Sequence, residues 1–135
     1  NGQDLLLSGE CDVVMEWNGD IVQVMEEDDD IGYVVPKEGG VVWMDNMCIP
    51  VGAPHPQNAH AFINYILDAK VGADIANFIH YASPNAAARK YIVPADLKNP
   101  AIYPPAEAIS ASEVIIDVGD KARLFDEAWV AIQAA

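Results

Sequence analysis

The chain has 135 residues, of which 52% are hydrophobic, enough for one domain with a packed core. Seven basic against 21 acidic residues give a formal net charge of −14, which argues against binding to nucleic acids or anionic membranes because both need a cationic face. A cationic ligand or partner fits this charge better, although an acidic surface that is only well solvated would have the same composition.

The first 50 residues contain three β-type stretches and one helical stretch. Residues 11–17 (CDVVMEW) are rich in β-forming residues and predict a strand. Residues 20–27 (DIVQVMEE) space their apolar side chains as one face of a short helix. Residues 31–36 (IGYVVP) predict a second strand, and residues 41–49 (VVWMDNMCI) predict a long buried strand that ends at a proline.

The rest of the chain is mainly helical. A helix is predicted to begin near Pro56, to be broken at residues 70–72 (KVG), and to be followed by a second helix over residues 73–82. Residues 91–119 contain four prolines and predict a loop. Residues 119–135 then predict a closing amphipathic helix. Strands mixed with helices, without an internal repeat, indicate an α/β fold.

Two tryptophans are each followed closely by an aspartate. Trp17 precedes Asp20 by three residues, and Trp43 precedes Asp45 by two, so that the second pair would share one face of a strand. Tryptophan faces attract cations and carboxylates neutralise ammonium groups, so together they describe a pocket for an elongated organic amine. The alternative is that both tryptophans belong to the core and both aspartates cap helices or turns.

Catalytic, metal and cofactor motifs are weak in this sequence. The three histidines lack the spacing of a zinc site, and no glycine-rich phosphate loop is present, so no metal or cofactor is predicted. A two-carboxylate hydrolase built on Glu16, Asp20 and Asp45 is the alternative from another class.

Three longer motifs make the interpretation more specific: WNGD at 17–20, VVPKEGGVVWMD at 34–45 and HYASPNAAARK at 80–90. The pattern continues through IYPPAE at 102–107 and DVG at 117–119. In this order and at these separations the motifs resemble the C-terminal part of the periplasmic spermidine/putrescine-binding proteins, the solute receptors of polyamine ABC transporters.

The resemblance implies part of a two-lobed, type II periplasmic-binding-protein fold in which the chain crosses between lobes. Residues 1–43 would belong to the C-terminal lobe, residues 44–89 to the N-terminal lobe, and residues 90–135 would return to the C-terminal lobe. The chain would then be a fragment of one receptor that closes over its ligand. Surfaces that normally meet the remainder of the receptor would drive homo-oligomerisation or strand exchange of the fragment.

The resemblance also implies a set of ligand-binding residues. Trp17 falls on the family tryptophan that stacks on the polyamine chain, and Asp20 falls where putrescine-binding members place an acid for an amine. Trp43 and Asp45 fall on the aromatic wall and the ammonium partner. Tyr81 matches a tyrosine that lines the pocket. Asp45 would then be half-buried because its counter-ion is the ligand.

One departure from the family pattern concerns the choice of polyamine. Ile115 occupies the position at which spermidine-binding members have a glutamine, and together with Asp20 this favours a diamine such as putrescine. The implied role is recognition in the periplasm and delivery to an ABC transporter membrane permease, without catalysis. A receptor of the same fold for another small cationic or amino solute is the alternative within the family.

Overall fold

A computed structural model describes residues 2–134. The helices are α1 (Gly2–Leu7), α2 (Asn18–Met25), α3 (Pro56–Ile66), α4 (Ala69–Ile79), α5 (Pro94–Lys98), α6 (Ala106–Ala111) and α7 (Ala122–Gln133). Two 3₁₀ helices span Ala86–Tyr91 and Gly119–Lys121. Two short strands, β1 (Val41–Val42) and β2 (Glu113–Val114), form one parallel pair. The described chain is therefore rich in helix, with a small parallel sheet.

The buried side chains form two apolar clusters. The first joins α4 to the following 3₁₀ helix and consists of Ala73, Ala76, Ala88 and Ile92. The second joins α2 to the segment before α6 and consists of Val22, Ala101 and Ile102. Tyr103 packs against both clusters. We call α4 and the 3₁₀ helix that packs against it the α4 corner. Tyr103 therefore connects the α4 corner to the cluster that contains Val22 of α2.

The predicted helices around Pro56 and at the C-terminus are confirmed, as is the helix over residues 20–27, which begins earlier, at Asn18. The predicted break at residues 70–72 is wrong, because α4 already begins at Ala69. The physical reason is Asp68, whose side chain accepts hydrogen bonds from the backbone N–H groups of Lys70 and Val71 and so caps the helix. The segment 91–119, predicted as a loop, contains α5, α6 and β2.

The strand predictions are wrong over most of their length. Residues 11–17 and 31–36 form no strand, and β1 covers only two residues of the predicted strand 41–49. Residues 41–48 are exposed, and the side chain of Met15 is fully exposed. A strand is stabilised by hydrogen bonds to neighbouring strands, and within the described residues β2 is the only partner of β1. Among residues 2–134, no neighbouring segment covers most of the apolar side chains of these stretches.

The junction of the two strands depends on the consecutive glycines of the PKEGG motif. Gly39 has φ of 96°, and a Cβ at this position would overlap the backbone carbonyl of Ala111. The N–H of Gly40 donates a hydrogen bond of 3.0 Å to the hydroxyl of Ser112, which itself donates to the carbonyl of Ala108. Glycine is needed at 39 both for the positive φ and for the close approach of the two segments. This junction brings the start of the W-x-D segment next to β2.

Candidate site: an aromatic cluster with carboxylates

Three of the predicted site residues lie together, although they are far apart in sequence. The rings of Trp17 and Trp43 meet edge to face, with centroids 5.4 Å apart and an interplanar angle of 80°. The rings of Trp43 and Tyr81 are 5.8 Å apart and tilted by 58°. Each contact lies in the range in which aromatic pairs attract. Trp43 is the central ring, and its side chain remains 37% exposed.

Trp17 is positioned by the start of α2. Trp17 is the residue before the helix and has an extended backbone conformation, so its side chain lies at the N-terminal end of α2. The next residue, Asn18, donates a side-chain hydrogen bond of 2.8 Å to the carbonyl of Ala101, which ties the W-N-G-D segment to the second apolar cluster. The N–H of Trp17 donates to the Glu16 carboxylate at 3.1 Å. The position of Trp17 is thus fixed by hydrogen bonds on both sides.

Tyr81 is positioned by α4 and by a close contact with Gly19. It follows His80, the left-handed residue that ends α4. A methyl group on Gly19 would overlap the ring of Tyr81, so the tyrosine lies directly on the backbone of α2. The Gln23 side chain donates to the carbonyl of Ile79 and holds the end of α4 against α2. Glycine in the W-N-G motif is therefore needed for the ring packing.

The electrostatic surroundings of Tyr81 are acidic. Burial raises the pKa of its phenol to about 12, and the negative charge of the neighbouring Asp20 carboxylate and a hydrogen bond to it act in the same direction. The charge of Glu16 contributes as well. Tyr81 is therefore neutral over the physiological range and presents a polar ring next to two carboxylates.

Asp45 differs from the other predicted residues. It is exposed, so the expectation that it is half-buried is wrong for this chain. The segment around it is irregular rather than β, and the Asn46 side chain bonds locally to the carbonyl of Met44. An exposed carboxylate two residues beyond Trp43 needs no internal counter-ion, because water solvates it. Asp45 is available to a ligand, but the structure does not enclose it.

The carboxylates near the cluster have no cationic partner within the described residues. The ion pairs that lysine and arginine form in residues 2–134 are Lys37–Glu38, Lys70–Asp74 and Arg123–Glu127. None of them involves Glu16, Asp20 or Asp45. Over the same residues, no group of three His, Cys, Asp or Glu side chains is arranged to hold a metal ion. Aromatic faces beside uncompensated carboxylates can bind an organic cation by cation–π attraction and charge-assisted hydrogen bonds.

Sequence reasoning did not assign a role to two residues that shape this site. Gly19 lies in the W-N-G motif, which is the signal in the sequence for a glycine beneath Tyr81. The left-handed backbone conformation of His80 leaves no signal in the sequence. The carboxylate of Glu16 accepts the N–H of Trp17, a contact between neighbours that no motif indicates.

Comparison with known proteins places the chain in a family. The family model of bacterial extracellular solute-binding proteins matches residues 1–105. The chain belongs to this family. The helices that lie within residues 2–134 include none with the length and apolar character that a membrane span requires.

Several curated relatives of this chain carry names that state a ligand. The spermidine/putrescine-binding periplasmic protein of Salmonella typhimurium (strain LT2) is 35% identical over 128 residues, which cover 95% of this chain and 37% of that protein. A protein from Haemophilus influenzae, spermidine/putrescine-binding periplasmic protein 1, is 33% identical over 135 residues, covering 100% of this chain and 38% of that protein. The putrescine-binding periplasmic protein PotF of Escherichia coli (strain K12) is 29% identical over 137 residues, covering 96% and 37%. The chain thus spans under two-fifths of the length of these relatives.

Proposed function

We propose that this chain contributes to a periplasmic receptor that binds a polyamine, putrescine or spermidine, and delivers it to the membrane permease of an ABC transporter. The observation that carries the proposal is the cluster of Trp17, Trp43 and Tyr81 beside carboxylates that have no cationic partner among residues 2–134. A polyamine offers both an apolar methylene chain for the rings and ammonium groups for the acids. The names of the relatives support the same ligand class.

The ligand-binding set that we propose is Trp17, Asp20, Trp43, Asp45 and Tyr81. Trp43 provides the wall of the pocket that contacts both other rings. Asp20, in the first turn of α2, lies next to Tyr81 and would take one ammonium group. Asp45, which is exposed two residues beyond Trp43, would take the other. Such a site acts by recognition and delivery, without catalysis.

We further propose that the chain crosses twice between two lobes, with residues 1–43 and 90–135 in one lobe and residues 44–89 in the other. Two contacts support the pairing of the outer segments. The strands β1 and β2 lie in parallel register, with Val41 opposite Glu113, and Asn18 bonds to the carbonyl of Ala101. The contacts of α4 with Ala88 lie within the middle segment, and those with Ile92 would be contacts between the two lobes.

Ile115 bears on whether the ligand is a diamine or a longer polyamine. Its N–H donates to the carbonyl of Val42 at 3.1 Å, so the parallel register continues to the residue beside Trp43. An isoleucine here offers no acceptor for an additional amine, which favours a diamine over a triamine. A receptor for another small amino solute would use the same rings, and the experiment below distinguishes the two by comparing ligands.

The test is isothermal titration calorimetry with putrescine, spermidine and, at matched ionic strength, magnesium chloride. We expect weak but saturable heat with the diamine, in the millimolar range, because this chain carries only part of the cage and association costs entropy. Asp45→Asn is expected to weaken binding by about 10-fold or more, since a hydrogen bond to a charged partner contributes ~1.5–3 kcal/mol. The matched control is Asp126→Asn on α7, which should leave binding unchanged. Equal responses to polyamines and magnesium would refute selective recognition.

A second expectation concerns association of the chain with itself. Large apolar side chains are exposed on α3, α4 and α7, among them Phe62, Phe78, Phe125 and Trp129. Exposed apolar patches of this kind favour contacts between copies. We expect light scattering coupled to size exclusion to show concentration-dependent dimers or larger species. A monomer at all concentrations would contradict this expectation.

A further inference from the structure

His80 has a backbone conformation that non-glycine residues rarely adopt. It ends α4 with φ of 55° and ψ of 30°, and it is the sole non-glycine residue with positive φ among residues 2–134. Its N–H donates to the carbonyl of Ala76 at 2.9 Å. The left-handed conformation is unfavourable for a residue with a Cβ, and such outliers persist where surrounding contacts hold them. The side-chain contacts of His80 explain what holds this one.

The imidazole of His80 lies between carboxylates from two helices. Its Nδ1 is 3.3 Å from Oδ2 of Asp96 in α5, and its Nε2 is 3.4 Å from Oε1 of Glu26, the residue that ends α2. The side chains of His80 and Asp96 are only 14% and 15% exposed, whereas Glu26 is largely in solvent. Nδ1 is buried and has no well-aligned hydrogen bond, despite its distance from Asp96. The contact with Asp96 is therefore electrostatic and sensitive to the charge of the ring.

We propose that His80 is a positioning residue whose protonation fixes Tyr81 in the aromatic cluster and thereby tightens polyamine binding. The effect on polyamine binding rests on the proposed function, whereas the positioning of Tyr81 rests on the geometry alone. The doubly protonated ring donates from both nitrogens towards two carboxylates. The neutral ring keeps only one N–H and turns a lone pair towards the oxygen of the other carboxylate. The contacts of the helix end are thus stronger when the ring is charged.

His80 is linked to the aromatic cluster directly through the backbone. Tyr81 is the next residue, and its ring rests on Gly19 and meets Trp43. The charged groups that face the imidazole are Glu26 from α2 and Asp96 from α5, and the adjacent phenol of Tyr81 stays neutral because its pKa is raised to about 12. Loss of the charge of His80 weakens the electrostatic contacts that hold the end of α4 to Glu26 and Asp96, and leaves the hydrogen bond of the Gln23 side chain to the carbonyl of Ile79 unchanged. Tyr81 then gains freedom to leave the cluster.

The experiment follows ring resonances of Tyr81 and imidazole nitrogen resonances of His80 by NMR between about pH 5 and 8. The Tyr81 resonances are expected to move with the same midpoint as those of His80, without any ligand present. His80→Asn should abolish this transition, because asparagine tolerates the left-handed backbone but does not titrate. His60→Asn, which removes an exposed histidine of α3, is the control and should keep it. Asp96→Asn keeps His80 and should reduce the amplitude of the Tyr81 change.

Putrescine titrations at the two ends of this range complete the test. We expect affinity about 5-fold higher at the lower pH, within the usual range of coupling between sites, and no pH dependence in His80→Asn. Tyr81 resonances that ignore the titration of His80 would overturn the positioning role, and equal affinity at both pH values would overturn its coupling to the ligand. Absence of binding at either pH, with Tyr81 still following His80, would refute the proposed function alone.

Discussion

Replacing Gly19 with alanine is expected to expel the Tyr81 ring from the cluster. The added methyl group would overlap the ring of Tyr81. Because Gly19 belongs to the backbone of α2, the side chain of Tyr81 has to move instead. Forcing extra volume into a packed contact typically costs about 1–3 kcal/mol of unfolding free energy. Urea denaturation measures this loss, and Gly32→Ala is the matched control because no atom lies within 4 Å of a Cβ at that position.

The titration of Tyr81 gives an independent measurement of the same variant. In the native chain, burial raises the pKa of this phenol to about 12, above the ordinary value of 10. A raised folded-state pKa means that the stabilisation is fully present below pH 10 and is lost as the pH rises from 10 towards 12. In Gly19→Ala the displaced ring should titrate closer to 10, which NMR of ¹³C-labelled tyrosine detects. An unchanged pKa with unchanged stability would show that the close contact with Gly19 is absent.

Replacing Trp43 with alanine is expected to have the second large effect. Trp43 is the ring that contacts both Trp17 and Tyr81, and each aromatic pair contributes ~0.5–1.5 kcal/mol beyond burial of area. The variant should lose about 1–3 kcal/mol of unfolding free energy from these contacts and all measurable heat with putrescine. Calorimetry and urea denaturation measure the two quantities on the same preparation.

Two further variants separate the role of the Trp43 ring from a general loss of tryptophan. Trp129→Ala on α7 removes a tryptophan that is 60% exposed, and putrescine binding should remain. Trp43→Phe keeps a smaller ring and should retain part of the affinity. Full binding by Trp43→Ala would rule out the aromatic cluster as the ligand site.

The helices could be predicted from the sequence because their signals are local. The apolar spacing of Ile21, Val24 and Met25 and the proline at 56 are enough to place α2 and α3. The helix α4 begins at Ala69, before the predicted start at residue 73, because Asp68 caps it, and Asp is a strong N-cap residue. Local patterns thus predicted the existence of helices better than their ends.

The strands could not be predicted because their formation depends on partners elsewhere. Val13 and Met15 have the composition of a strand, yet both side chains are almost fully exposed. Side-chain pattern indicates which face is apolar, but the hydrogen bonds of a ladder come from another segment. The motifs shared with a family predict the aromatic residues of the candidate site, whereas no local pattern connects His80 to Glu26 and Asp96, the carboxylates that lie beside its ring.

The pairing of β1 with β2 has a consequence for the order in which the chain folds. The Gly40–Ser112 hydrogen bond joins residues 72 apart, whereas the Asn77–Val93 bond at the end of α4 joins residues 16 apart. Closing the longer loop costs about 1.3 kcal/mol more in chain entropy. We therefore expect the α4 corner to form before the strand junction, which holds the beginning of the Trp43 segment. On this expectation the Trp43 segment opens at a lower free energy than the α4 corner that precedes Tyr81.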